Sequence, residues 1–130
     1  MSRCAFRTLA ALALATAAIA PALAQVRSFP PNTLRGTMVF GDFPQVTVNG
    51  QGATLSPGTR IRDENNRLLL PATINGAKFL VHYTVGLYGA QVQDVWVLRA
   101  DEAAIKPWPR TLEEARTWAW DATTQTWTKP

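Results

Sequence analysis

Two Asn-Gly dipeptides, Asn49-Gly50 and Asn75-Gly76, punctuate a chain whose apolar residues recur at strand spacing. Asn and Gly both tolerate positive φ, so the pair suits the type I′ turn of a two-residue hairpin. Val46 and Val48 precede the first dipeptide, and Ala53 and Leu55 follow it, which predicts a hairpin there. The second dipeptide, after Ile74, repeats the signal. Other turns are expected at Gly41-Asp42-Phe43-Pro44, Ser56-Pro57-Gly58, Asp63-Glu64-Asn65-Asn66 and Gly86-Leu87-Tyr88-Gly89. Between them lie the short strand candidates Met38-Val39-Phe40, Arg60-Ile61-Arg62 and Arg67-Leu68-Leu69-Leu70. Pro71, which has no N–H to give a ladder, puts an edge or a bulge after the last of these.

The clearest strand runs over Lys78–Val85. Phe79, Val81, Tyr83 and Val85 alternate with Lys78, Leu80, His82 and Thr84, so the odd positions should face a core. Val95-Trp96-Val97-Leu98 is apolar on both faces, as a doubly covered strand requires. Strands arriving roughly every 8–12 residues predict an all-β domain. Their number and brevity suit a small five- to seven-stranded barrel, OB-like or SH3-like, over residues 34–100.

Beyond residue 100 the texture changes. Asp101 to Ile105 has room for one helical turn, and Lys106-Pro107-Trp108-Pro109 breaks any helix. Thr111-Leu112-Glu113-Glu114 has the form of a capping box, which predicts a short helix ending near Trp118. Trp120 to Trp127 is expected to form a small hairpin with Asp121 opening its turn.

The N-terminus reads as an export address. Arg3 and Arg7 precede an uncharged, Ala- and Leu-rich run over residues 8–20, and Pro21 leads into Ala22-Leu23-Ala24. Basic, apolar and A-x-A segments in that order are the layout of a secretory signal peptide, with cleavage expected after Ala24. The run is shorter than the roughly 20 residues a membrane-spanning helix needs. Residues 25–33, which include Pro30-Pro31, then read as an extended lead-in, and residues 101–130 as a C-terminal extension. The expected location is periplasmic or secreted, with no transmembrane segment after cleavage.

Cleavage also changes the charge. Losing Arg3 and Arg7 leaves 11 basic residues against nine acidic ones, a balance of +2 rather than the whole-chain +4. A nucleic-acid partner is not expected from so small an excess in an exported protein. Cys4, the only cysteine, lies in the leader, so the remainder holds neither a disulfide nor a thiol.

Residues between Asn32 and Glu102 resemble a group of small, exported, uncharacterised proteobacterial proteins. Leu34-Arg35-Gly36-Thr37, Val48-Asn49-Gly50-Gln51, Leu55-Ser56-Pro57-Gly58 with Arg60-Ile61-Arg62, Val81, Tyr83-Thr84 and Asp94-Val95-Trp96-Val97-Leu98 carry the likeness. It implies a shared fold and an exported location, and no activity.

Chemistry is sparse. His82, the only histidine, falls on the outer face of its strand and is expected at or near the surface; no second His or free Cys completes a metal set. Asp63 to Leu68 lacks the glycine and uncharged fifth position of a calcium loop. Ser28 and Ser56 sit outside any nucleophile elbow. A non-catalytic module without cofactor or metal is therefore expected, binding or supporting an envelope protein or a glycan or lipid surface.

Two features suggest where binding occurs. Arg60, Arg62 and Arg67 crowd together, with Arg60 and Arg62 on one strand face, a patch able to hold an anionic glycan or lipid headgroup unless Asp63 and Glu64 balance it. Trp108, Trp118, Trp120 and Trp127 crowd the last 23 residues and would either cap the chain's own core, the preferred reading, or form an exposed platform.

Overall fold

The computed structural model describes residues 27–86 and 91–130; the leader expected over 1–24 and turn residues 87–89 lie outside them. β1 (Leu34–Phe40) turns at Asp42 into β2 (Gln45–Val48). Asn49 at φ 51° and Gly50 at φ 82° then supply the two left-handed positions of the expected hairpin, and β3 (Gln51–Arg62) returns beside β2. Asp63 Oδ1 accepts the Asn65 and Arg67 amides, 2.9 Å each, at the tip leading into β4 (Leu68–Leu69). A 3₁₀ turn over Pro71–Thr73 precedes β5 (Lys78–Val85), and β6 (Gln91–Val97) ends the sheet.

These strands close on themselves. β1 pairs antiparallel with β2 and β5, β5 with β6, and β2 with β3, while β6 and β3 run parallel. The result is a closed five-stranded barrel, with β4 appended to the end of β3. The single parallel closure is the OB-type circuit and decides against the SH3-like alternative.

Two turn expectations are corrected. Ser56-Pro57-Gly58 does not end a strand but forms a bulge inside β3: Leu55 faces Val92 and Arg60 faces Asp94, so β3 spends more residues than β6 between the same rungs. Pro57 has no N–H to pair, and the surplus lets one strand bend and serve β2, β6 and β4. Thr59 Oγ1 fastens the bulge, 2.7 Å from the Ser56 carbonyl and 2.8 Å from that of Val92. Asn75-Gly76 does not join paired strands, because β4 pairs with β3 and not with β5. It turns the chain into β5, with the Gly76 amide donating to the Phe40 carbonyl at 2.7 Å.

The interior holds Met38, Phe40, Leu55, Ile61, Val81 and Val95, all nearly inaccessible, and the odd positions of β5 face it as the alternation requires. A second core lies outside the barrel. Trp96 and Leu98 point away from the interior and pack with Phe29, Trp108 and Trp127. The second half of β6, Val95–Val97, is thus apolar on both faces because both faces are covered there.

The covering comes from both ends of the chain. After β6 follow a single turn α1 (Ala100–Ala103), the Pro107-Trp108-Pro109 segment, helix α2 (Leu112–Thr117) and a hairpin of β7 (Ala119–Asp121) and β8 (Thr126–Thr128). Thr111 caps α2 by accepting the Glu114 amide at 3.2 Å, and Asp121 opens the hairpin turn. Leu112 and Ala115 of α2 pack against the barrel core. Among the described residues no helix is long and apolar enough to cross a membrane.

Positive φ at Gly50 makes a testable contrast with Gly58, whose surroundings are open and whose φ is not left-handed. Gly50→Val should cost about 1–2 kcal/mol in urea denaturation, since a β-branched residue resists the left-handed region. Gly58→Ala should stay within about 0.5 kcal/mol of the parent. Equal effects would contradict the turn assignment.

Candidate functional site: a basic cleft beside the tryptophan cap

His82 is buried, with 1% of its surface exposed, which corrects its expected place at the surface. It does point away from the barrel interior, but the cap occupies that side. Its ring stacks on Trp108 at 4.1 Å and takes the edge of Phe29 at 4.4 Å. Arg35 Nε donates to His82 Nε2 at 3.1 Å, so the imidazole is neutral with its proton on Nδ1. Burial pushes the His82 pKa down to about 2, and the Arg35 and Arg27 charges add to the effect.

Arg35 is the cap's main fastener. Its Nη1 donates to the Ala103 and Ile105 carbonyls at 3.2 and 2.8 Å, and its Nη2 to that of Glu102 at 3.0 Å. These are carbonyls at the end of α1, where a cation satisfies groups the helix leaves unpaired. The guanidinium also lies 5.3 Å from the Trp108 ring centre. No carboxylate stands within ion-pair distance of Arg35 among the described residues. Burial and the nearby Arg110 charge lower its pKa, while Glu102 acts to raise it.

A second fastener holds the lead-in. Arg27 pairs with the buried Glu102 carboxylate and donates to the Asp63 and Val97 carbonyls at 2.9 and 2.7 Å. The Phe29 amide donates to Gln125 Oε1 at 3.1 Å, and Trp108 Nε1 to the Thr33 carbonyl at 3.0 Å. Lead-in, barrel and extension thus share one polar network.

Beside this cap opens a cleft of about 640 Å³. Leu80, Ala103 and Pro107 give it an apolar strip, and Trp118 a flat, half-buried wall. Exposed Lys106, Arg110 and Lys129 line it, with Arg35 and Trp108 behind them and Glu114 as the one acid among the described residues. Lys106 and Arg110 have no acidic side chain within ion-pair distance among the described residues. Lys129 Nζ rests 5.2 Å from the centre of Trp118, a cation–π contact worth about 0.5–1 kcal/mol at an exposed site. Three exposed cations against one carboxylate, around a buried guanidinium with no carboxylate in ion-pair contact among the described residues, form an anion-attracting surface.

The structure separates the residues singled out from the sequence. Arg60 is exposed on β3, and Arg62 beside it faces Asp94 at 3.8 Å and lies 5.8 Å from the Trp96 ring. Arg67 stands apart at the β3–β4 tip, next to the exposed Leu68. Trp108 and Trp127 are buried in the second core, and half-buried Trp120 touches both rings. Two of the four line the cleft, Trp108 buried behind it and Trp118 half-buried at its wall. Trp118 meets Lys106, Arg110 and Lys129 there, and neither Arg60 nor Arg62. Sequence reasoning missed Arg35, Arg27 and these three cations, which come together only when the extension folds back. The proline-broken Lys106-Pro107-Trp108-Pro109-Arg110 run was the available signal.

The outer face of β2 and β3, where OB-type barrels often bind ligands, differs in character. Its depression of about 420 Å³ is lined by Gly41, Gln45, Thr47, Gly52 and Thr54 among others, with no aromatic or charged side chain among the described residues.

No protein-family model, curated protein or solved structure matches the chain. The cleft is therefore read from its own chemistry.

His82 provides a pH test of the cap. Its folded pKa of about 2 lies far below the usual 6.5, so between these values the unfolded chain binds a proton that the folded one refuses. Stability must fall as pH drops below 6.5, by about 1.4 kcal/mol per pH unit from this group. Urea titrations of the parent from pH 7 to pH 5 should lose about 2 kcal/mol more than those of His82→Gln. Parallel curves would contradict a neutral, buried His82.

Proposed function

We propose that the chain is an exported, non-catalytic binding module that holds an anionic ligand in the cleft beside its tryptophan cap. One observation carries this: Arg35, buried against Trp108 with no carboxylate in ion-pair contact among the described residues, stands behind a rim formed by Lys106, Arg110 and Lys129. A buried cation held by carbonyls and a neutral imidazole keeps a positive potential that an arriving anion lowers. The exposed cations supply steering and direct hydrogen bonds.

Several charged groups elsewhere are committed to the fold. Arg27 and Glu102 neutralise each other, and His82 serves Arg35 as a neutral acceptor. Arg62 has Asp94 and Trp96 as neighbours. The leader-like first 24 residues support a periplasmic or secreted location, where anionic glycans and lipid headgroups are the abundant partners.

Calorimetric titration with dextran sulfate, against uncharged dextran, tests this. Dextran sulfate should bind and dextran should not, and Lys106→Ala combined with Arg110→Ala should weaken binding at least tenfold. Both side chains are exposed, so the double variant should keep its thermal midpoint. Absence of binding, or binding indifferent to the double variant, would overturn the assignment.

A further inference from the structure

We infer that the cleft's ligand is an acidic saccharide, a sugar ring bearing a carboxylate, rather than a ringless polyanion or a phospholipid headgroup. The inference rests on the anionic-ligand reading above and narrows it. Three features of the cleft point the same way. Trp118 is half-buried and lines the cleft, whereas Trp108 borders it from a buried position and Trp127 is enclosed. A flat aromatic face takes the C–H face of a pyranose, and a phosphate offers it nothing. Leu80, 38% exposed, lies with Ala103 and Pro107 along the same cleft and extends that apolar strip.

Glu114 is the second feature. Among the described residues it is the only acid lining the cleft. Its Oε1 lies 3.5 Å from Thr111 Oγ1, too long for a strong bond, so the carboxylate keeps acceptor capacity for a ligand donor. A carboxylate at this position opposes a polyphosphate by repulsion but accepts hydrogen bonds from sugar hydroxyls. Lys106 and Arg110 are the third feature: exposed, without acidic partners among the described residues, and placed to meet the ring's carboxylate. Lys129, now on the Trp118 face, can leave the ring as a sugar stacks there and join the other two cations.

Titration of intrinsic fluorescence with tetragalacturonate, its methyl ester, tripolyphosphate and anionic phosphatidylglycerol vesicles discriminates the sources. Tetragalacturonate should bind at least tenfold more tightly than the uncharged ester and than tripolyphosphate, with no vesicle association. Trp118→Ala should weaken tetragalacturonate at least tenfold and leave tripolyphosphate unchanged, while Trp118→Tyr should restore most of the loss. The far-ultraviolet spectrum and thermal midpoint of each variant establish that it is folded. Tripolyphosphate or vesicles binding as well as tetragalacturonate, or tetragalacturonate affinity indifferent to Trp118→Ala, would overturn the saccharide assignment. Dextran sulfate binding would in that case still support an anion site. Failure of dextran sulfate as well would remove both.

Discussion

A single buried guanidinium organises the outside of this barrel. Arg35 leaves β1 on the side away from the interior and gathers three carbonyls from residues 102, 103 and 105, together with the imidazole of His82. A charge so enclosed costs several kcal/mol to desolvate unless its N–H groups are met. Here they are met by carbonyls at and just after the end of α1 and by the neutral histidine nitrogen. The chain after β6 is thereby fixed against β5, and Trp108 comes to lie over His82. α2 and the tail hairpin complete the cap through Leu112 and Ala115 on the barrel core and Trp127 in the second core.

The cleft is a by-product of the same clamp. Once the Lys106-Pro107-Trp108-Pro109-Arg110 segment is pinned, Lys106 and Arg110 stand exposed beside Trp118. The backbone joins in too, with the Arg35 amide donating to the Pro109 carbonyl at 2.8 Å. Function and stability therefore share residues: Arg35 fastens the cap through its hydrogen bonds and lends the cleft its charge. Trp118 likewise packs against the second core on one side and borders open space on the other.

The barrel was legible in the sequence because its signals are local. The Asn49-Gly50 turn, the alternation over β5 and the two-faced apolarity of β6 each require only a few neighbouring residues. Ser56-Pro57-Gly58 misled because Pro and Gly mark a bulge as readily as a turn; the difference lies in whether β6 pairs on both sides of it. His82 misled for a related reason. Alternation correctly put it opposite Val81 and Tyr83, yet whether that side meets water depends on residues 27–33 and 100–130 folding over it. The tryptophans were rightly suspected of capping the core, since Trp108 and Trp127 do so. Their supposed companions Arg60 and Arg62 belong to β3, away from the cleft, and the cations that join Trp118 are separated from one another by up to 23 residues of sequence.

Native-state amide hydrogen exchange tests the clamp most directly. The Ala115 and Trp118 amides, bonded to the Thr111 and Glu114 carbonyls, report on the cap, and the β5–β6 ladder reports on the barrel. Cap amides in the parent should be protected well above the level of a free six-residue helix. In Arg35→Met their exchange should become fast while the ladder stays slow. Unprotected cap amides in the parent, or a cap indifferent to Arg35→Met, would contradict the account.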